Sequence, residues 1–141
     1  MSVIGHGIDI VDVERFRNLA ERYNADLMGS YFTAVEIGIV GDGLGSIQSL
    51  AGRLAVKEAV IKALGVGLID GVSFLDIEVQ REPSGAPLVV LRGACKEVAD
   101  RKGIIRWQVS ISHTETVAMA SVIALGETRR VRRGDVSRRL R

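Results

Sequence analysis

The sequence predicts an α+β domain in which an antiparallel sheet packs with a long helix, and three observations carry that prediction. The patterns run strand, helices, hairpin, helix, then two strands, an order that fits α+β better than a doubly wound sheet. One helical stretch reaches from Ser46 to Leu64 and closes on Gly65. The closing segments, Ile105 to Ser112 and Thr116 to Leu125, are rich in β-branched residues and flank a break at His113-Thr114-Glu115. At 141 residues the chain fits one domain around one core.

Val3 to Val11 is apolar with two glycines and reads as the first strand. Asp12 can cap a helix over Val13 to Tyr23, with Phe16 and Leu19 on its inner face. Thr33 followed by Glu36 is a capping-box pattern and opens a short helix. Gly41 to Gly45 is a glycine-rich break. It has no Lys-Ser/Thr ending, so a loop is expected there and not a phosphate loop. Ser46 is the expected cap of the long helix. Phe74 to Glu82 alternates as a strand, Pro83-Ser84-Gly85-Ala86-Pro87 is a turn, and Leu88 to Leu91 returns as its hairpin partner. Ala94 to Lys102 reads as a further helix.

Composition excludes several classes. Apolar residues make up 47% and charged residues 26%, as in ordinary soluble domains. No apolar run approaches the roughly 18–20 residues of a membrane span. The N-terminus has no basic region followed by an apolar stretch, so no signal peptide is expected. The single Cys95 excludes an intrachain disulfide and a multi-cysteine metal site, and a cytoplasmic setting is expected. Seven arginines and one aspartate between Arg129 and Arg141 give that stretch a net +6. Subtracting this from the chain's +2 leaves −4 on residues 1–128. The expected division is therefore a domain over 1–128 and an arginine-rich tail over 129–141. The tail reads as a solvated segment, with attraction to nucleic acid or an acidic partner as the alternative. It lacks interleaved aromatics, so nucleic acid is not the expected partner.

Glu58 is the residue that calls for explanation. At about 100° per residue, Ile47, Leu50, Ala51, Leu54 and Ile61 form an apolar stripe, and Glu58 falls in its middle. A carboxylate facing the core costs several kcal/mol unless it is paired, protonated or bound to a metal. Asp9 likewise interrupts the apolar Gly7-Ile8-Asp9-Ile10-Val11. Two readings stand side by side. Lys62, four residues after Glu58, is placed for a helical ion pair, and Asp9 could simply cap a turn. Alternatively, the two acids join through a divalent cation. Magnesium takes one or two carboxylates together with water and substrate phosphates, and Lys57 and Lys62 suit a phosphate substrate. Paired carboxylates also occur in glycoside hydrolysis, but the adjacent lysines and the scarcity of aromatics argue against a sugar cleft. His113 at a strand end, and His6, read as structural residues or, for His113, a phosphate contact. Ser112 and His113 point to opposite faces of a strand, which disfavours a nucleophile–base pair. Neither a zinc cluster nor a nucleophile elbow is present in the sequence.

Four segments in order resemble the holo-[acyl-carrier-protein] synthases, the small single-domain branch of the 4′-phosphopantetheinyl transferases. They are Gly7-Ile8-Asp9-Ile10-Val11, Phe32-Thr33-Ala34-Val35-Glu36, Gly52-Arg53-Leu54-Ala55-Val56-Lys57-Glu58-Ala59 and Ser110-Ile111-Ser112-His113-Thr114. The resemblance spans about residues 3–125. It implies the 4′-phosphopantetheinyl transferase-like fold and transfer of phosphopantetheine from coenzyme A to a serine of apo acyl carrier protein, supporting fatty-acid biosynthesis. Adenosine 3′,5′-bisphosphate is the other product. It further implies magnesium on Asp9 and Glu58, with Glu58 and Lys62 catalytic. Lys57, Gly85, Pro87, His113 and Thr114 would bind coenzyme A, and Arg15 and Arg22 would meet the acidic carrier. The family's active sites lie between the subunits of a homotrimer. Two departures stand out. Ala86 replaces a residue that is often lysine in the family, and Thr114 occupies a position where some relatives carry an acid. The general base therefore stays open between a carboxylate and a positioned water. The alternatives are a non-catalytic module that holds acidic proteins or nucleic acid through its arginines, and the same transferase serving polyketide or peptide synthase carriers.

Overall fold

Alternation along the first strand explains how the domain is assembled. In the computed structural model, which describes residues 1–43 and 45–127, β1 spans Ser2–Asp12. Its Gly5, Gly7, Asp9 and Val11 point inward, while Ile8 and Ile10 point out to solvent. Strand β1 pairs antiparallel with the last strand and that strand with the one before it, in the order β1-β5-β4. The intervening elements are α1 (Val13–Tyr31), α2 (Ala34–Val40), α3 (Ser46–Leu64), 3₁₀ turns at Leu68–Asp70 and Phe74–Asp76, β2 (Ile77–Arg81), β3 (Pro87–Leu91), α4 (Gly93–Lys102), β4 (Ile104–His113) and β5 (Val117–Gly126). Strands β2 and β3 form a separate antiparallel hairpin. This is the expected α+β architecture, an antiparallel sheet carrying a long helix.

Helix α3 lies directly on the inner face of the sheet because small residues line both sides of the contact. Ala51, Ala55, Ala59 and Ala63 meet Gly5 and Gly7 of β1 and Ala118, Ala120 and Ala124 of β5, all the alanines being buried. A Cβ on Gly7 would stand 1.8 Å from the Ala59 carbonyl oxygen, and one on Gly5 2.2 Å from that of Ala63. Only glycine permits this approach. The opposite side of α3 is covered by β2, α2 and α4, so the helix is buried nearly all round. The expected single apolar stripe is therefore corrected. Leu50, Ala51, Leu54 and Ile61 are buried, but so are Val56, Val60 and Leu64 on other sides, and Glu58 is half-buried at a seam, not facing the core.

Several boundaries follow their signals. Asp12 accepts from the Arg15 amide at 2.8 Å and caps α1. Thr33 and Glu36 exchange both capping-box bonds. Gly65 ends α3 with φ +70°. Others differ. Helix α1 continues past the expected end at Tyr23 because Met28 and Tyr31 pack on the core and lead to buried Phe32. Phe32 meets Phe16 edge-on at 6.1 Å. Ser46 is the first residue of α3 and not its cap; Gly45 holds that position without a side-chain bond. Phe74–Asp76 is a 3₁₀ turn capped by Ser73, so β2 begins only at Ile77. Among the described residues no helix is long and apolar enough to cross a membrane. The arginine-rich stretch 129–141 lies outside the described residues.

Candidate active site

Asp9 and Glu58 meet where β1 and α3 are held in backbone contact. Asp9 pairs with Ala120 of β5, which in turn pairs with Ile111 of β4, so its side chain points to the helix face of the sheet. Lys62, one turn beyond Glu58, donates to Asp9 Oδ1 at 2.7 Å and to the Ile8 carbonyl at 3.1 Å. Of the two readings, the helical Glu58–Lys62 pair is not formed, and Lys62 makes a bridge from helix to strand. Asp9 is only 11% exposed and Lys62 57%. Asp9 Oδ2 is buried and has no hydrogen-bond partner among the described residues. Burial pushes the Glu58 carboxyl up to about 7, aided by the Asp9 carboxylate beside it and opposed by Lys62. Lys62 is thus bonded to one of two adjacent carboxyl groups, and one buried oxygen of Asp9 is left unpaired. A hard divalent cation taking two carboxylates and leaving its other positions to water and phosphate fits that donor set. Among the described residues no three His, Cys, Asp or Glu side chains gather as an all-protein cage.

A cleft of about 500 Å³ opens beside Glu58, lined by Ile10, Arg15, Phe16, Leu19, Tyr31 and Leu54. Arg15 also faces the open groove along α1 that holds Arg22, with Glu14 and Glu21 interspersed. The two arginines share one helix face, as their spacing predicts.

The other expected contacts lie elsewhere. Gly85, Pro87 and His113 line a separate cavity of about 520 Å³ between the start of α3, the β2–β3 hairpin and the end of β4. Arg53 and Arg81 enter the same wall, and among the described residues no carboxylate does. Arg53 is fixed by Ser49 Oγ at 2.8 Å and leans on the Val79 carbonyl at 3.4 Å. Burial and then the charge of Arg81 push its pKa down, so two positive groups crowd one cavity. On α3, Gln48, Ser49, Gly52 and Arg53 lie roughly opposite Leu54, Glu58 and Lys62. A single chain therefore keeps the cavity and the carboxylate pair on two sides of one helix.

Lys57 is corrected. Its side chain is fully buried and its ammonium donates to Glu36 Oε1 at 2.7 Å, to the Phe74 carbonyl at 2.9 Å and to the Ile77 carbonyl. An ammonium has three donors, and all are used inside the protein, so Lys57 has none left for a substrate. Thr114 is exposed, but its hydroxyl accepts from the Val117 amide at 3.1 Å and serves the β4–β5 turn.

The fold and the two clusters can be set beside known proteins. The sequence profile described as the 4′-phosphopantetheinyl transferase superfamily matches residues 5–122. The chain belongs to that superfamily. The holo-[acyl-carrier-protein] synthase of Koribacter versatilis is 40% identical over 121 residues, covering 86% of this chain and 97% of that one. The synthase of Streptomyces coelicolor is 41% identical over 126 residues, covering 89% and 100%. Among solved structures, the synthase of Neisseria meningitidis superposes with a TM-score of 0.80 at 30% identity, covering 88% and 99%. That of Helicobacter pylori, in complex with coenzyme A, gives 0.74 at 37% identity, covering 85% and 99%. Within this phosphopantetheinyl transferase chain, the sequence pattern does not single out Arg53 and Arg81. Arg53 stands in the same segment as Glu58 and Arg81 just precedes the Gly85 turn, so proximity to those motifs was the available signal.

Proposed function

We propose that this chain is a magnesium-dependent holo-[acyl-carrier-protein] synthase. It moves 4′-phosphopantetheine from coenzyme A to a serine of apo acyl carrier protein, in support of cytoplasmic fatty-acid biosynthesis. The serine oxygen bonds to the phosphorus that carries pantetheine, the pyrophosphate P–O bond breaks, and adenosine 3′,5′-bisphosphate leaves. The observation that carries the reading is the Asp9–Glu58 pair with its unpaired buried oxygen and Lys62 bound across it. Asp9 and Glu58 would hold magnesium, which when bound supplies charge neutralisation at the pyrophosphate oxygens. Lys62 spends two of its three N–H donors on Asp9 and Ile8, and the third remains to meet charge developing on the phosphoryl group. Arg53, Arg81 and His113, with the Gly85–Pro87 turn, suit the phosphorylated nucleotide end of coenzyme A. Arg15 and Arg22 suit an acidic carrier, delivered beside the cleft that opens at Glu58.

A homotrimer with sites between subunits belongs to the same proposal. Two features support it. The nucleotide cavity and the carboxylate pair lie on opposite sides of α3, and a neighbouring copy can bring them together. The outer face of the three-stranded sheet also exposes Val3, Ile8, Ile10 and Met119, the isoleucines at 52% and 64%. Incubation with coenzyme A, magnesium and an apo acyl carrier protein tests the function. The carrier should gain the mass of phosphopantetheine with release of adenosine 3′,5′-bisphosphate, and an unchanged mass with a competent carrier would refute it.

A further inference from the structure

We propose that Glu36 and Lys57 are positioning residues for the Asp9–Glu58 pair, an inference that rests on the transferase reading above. Neither reaches the cleft. Both side chains are fully buried and bonded at 2.7 Å. Glu36 Oε1 also accepts from the Thr33 amide at 3.0 Å, and its Oε2 from the Val79 amide at 3.1 Å. Lys57 reaches the carbonyls of Phe74 and Ile77. One ion pair thus ties α2, the 3₁₀ turn at Phe74–Asp76 and β2 to α3, at the residue immediately before Glu58.

The rotation of α3 about its axis has to be set somewhere. On the sheet side its buried contacts are alanines against alanines and glycines, which interlock little, and the directional bonds there are those of the long, exposed Lys62 side chain to Asp9 and Ile8. Hydrogen bonds are directional, and Lys57 makes three of them to groups fixed in other elements. They set the rotation of α3 and so the place of Glu58 opposite Asp9. A buried ion pair is a weak net source of stability, so its use here is geometric.

The test uses the full chain with Lys57→Met, Glu36→Gln, the double variant Glu36→Leu/Lys57→Met, and Glu58→Gln as control. Each single change leaves a partner buried without its counter-charge, and the double variant removes both charges if a single variant fails to fold. Three readouts are needed: melting temperature, manganese affinity by electron paramagnetic resonance, and adenosine 3′,5′-bisphosphate affinity by calorimetry without metal. The folded variants are expected to bind manganese about tenfold more weakly, with nucleotide affinity unchanged. A lowered melting temperature with manganese affinity unchanged would mean a purely structural pair and overturn the proposal. Weakened nucleotide binding with manganese unchanged would make Lys57 a substrate ligand and overturn it equally. If Glu58→Gln itself leaves manganese affinity unchanged, the metal assignment of the proposed function fails, and the positioning role fails with it.

Discussion

Lys62 is the exposed member of a bridge whose other end, Asp9, is nearly buried, so its side chain can be shortened without opening the core. Lys62→Ala is expected to lower kcat by about 10²-fold, the usual effect of removing one donor aimed at developing charge, and also to lower the melting temperature, because the nearly buried Asp9 loses its partner. Steady-state kinetics beside thermal denaturation checks both. Glu78 makes a prediction of a different kind. Hydrogen bonds from Gln80, Thr33 and Arg92 hold its carboxyl below the usual glutamate range. A depressed folded pKa means that the contribution to stability is present above the ordinary glutamate pKa and is lost as pH falls through the lower folded value. Glu78→Gln should therefore flatten the acid limb of stability against pH, as urea melts between neutral and acid pH would record. At this scale the sequence was legible where the anomaly was local. Asp9 in an apolar strand and Glu58 among apolar helix positions both announce a polar partner. Lys57 was misleading because its partner, Glu36, lies 21 residues away in another helix, and no local pattern encodes that pairing.

Element boundaries were readable where a cap sits in the sequence, as at Asp12, Thr33 and Gly65. The end of α1 was not, because Asn24 and Asp26 weaken the local helical pattern while burial of Phe32 and packing of Met28 extend the helix. The 3₁₀ turn at Phe74–Asp76 was hidden by alternation that mimics a strand, although Ser73 and Asp76 form a capping box there. The contact between β1 and α3 yields the sharpest prediction. Gly7→Ala drives a methyl group into the Ala59 carbonyl and must push α3 off the strand, at a cost of about 1–3 kcal/mol or more. Gly29→Ala, in the interior of α1, meets no atom within 4 Å and should instead stabilise by about 0.5–1 kcal/mol. Urea unfolding of the two variants should show opposite signs.

For the whole molecule, the fold class and the order of elements followed from patterning, but the split of the site did not, since periodicity says nothing of which side of α3 faces which cleft. That split makes the composite site testable by complementation. Glu58→Gln and His113→Ala chains should each be inactive or impaired alone. Co-refolded in equal amounts, they should recover activity at about a quarter of the sites, the random expectation for a ring of heterologous interfaces. No recovery would place both residues in one chain's own site. The most direct measurement is the intact mass of an apo acyl carrier protein after incubation with coenzyme A, saturating magnesium and folded Glu58→Gln protein. The expected result is no added phosphopantetheine where the unaltered chain modifies all of the carrier. Modification at the unaltered rate would contradict the assignment of Glu58 and, with it, the proposed metal site.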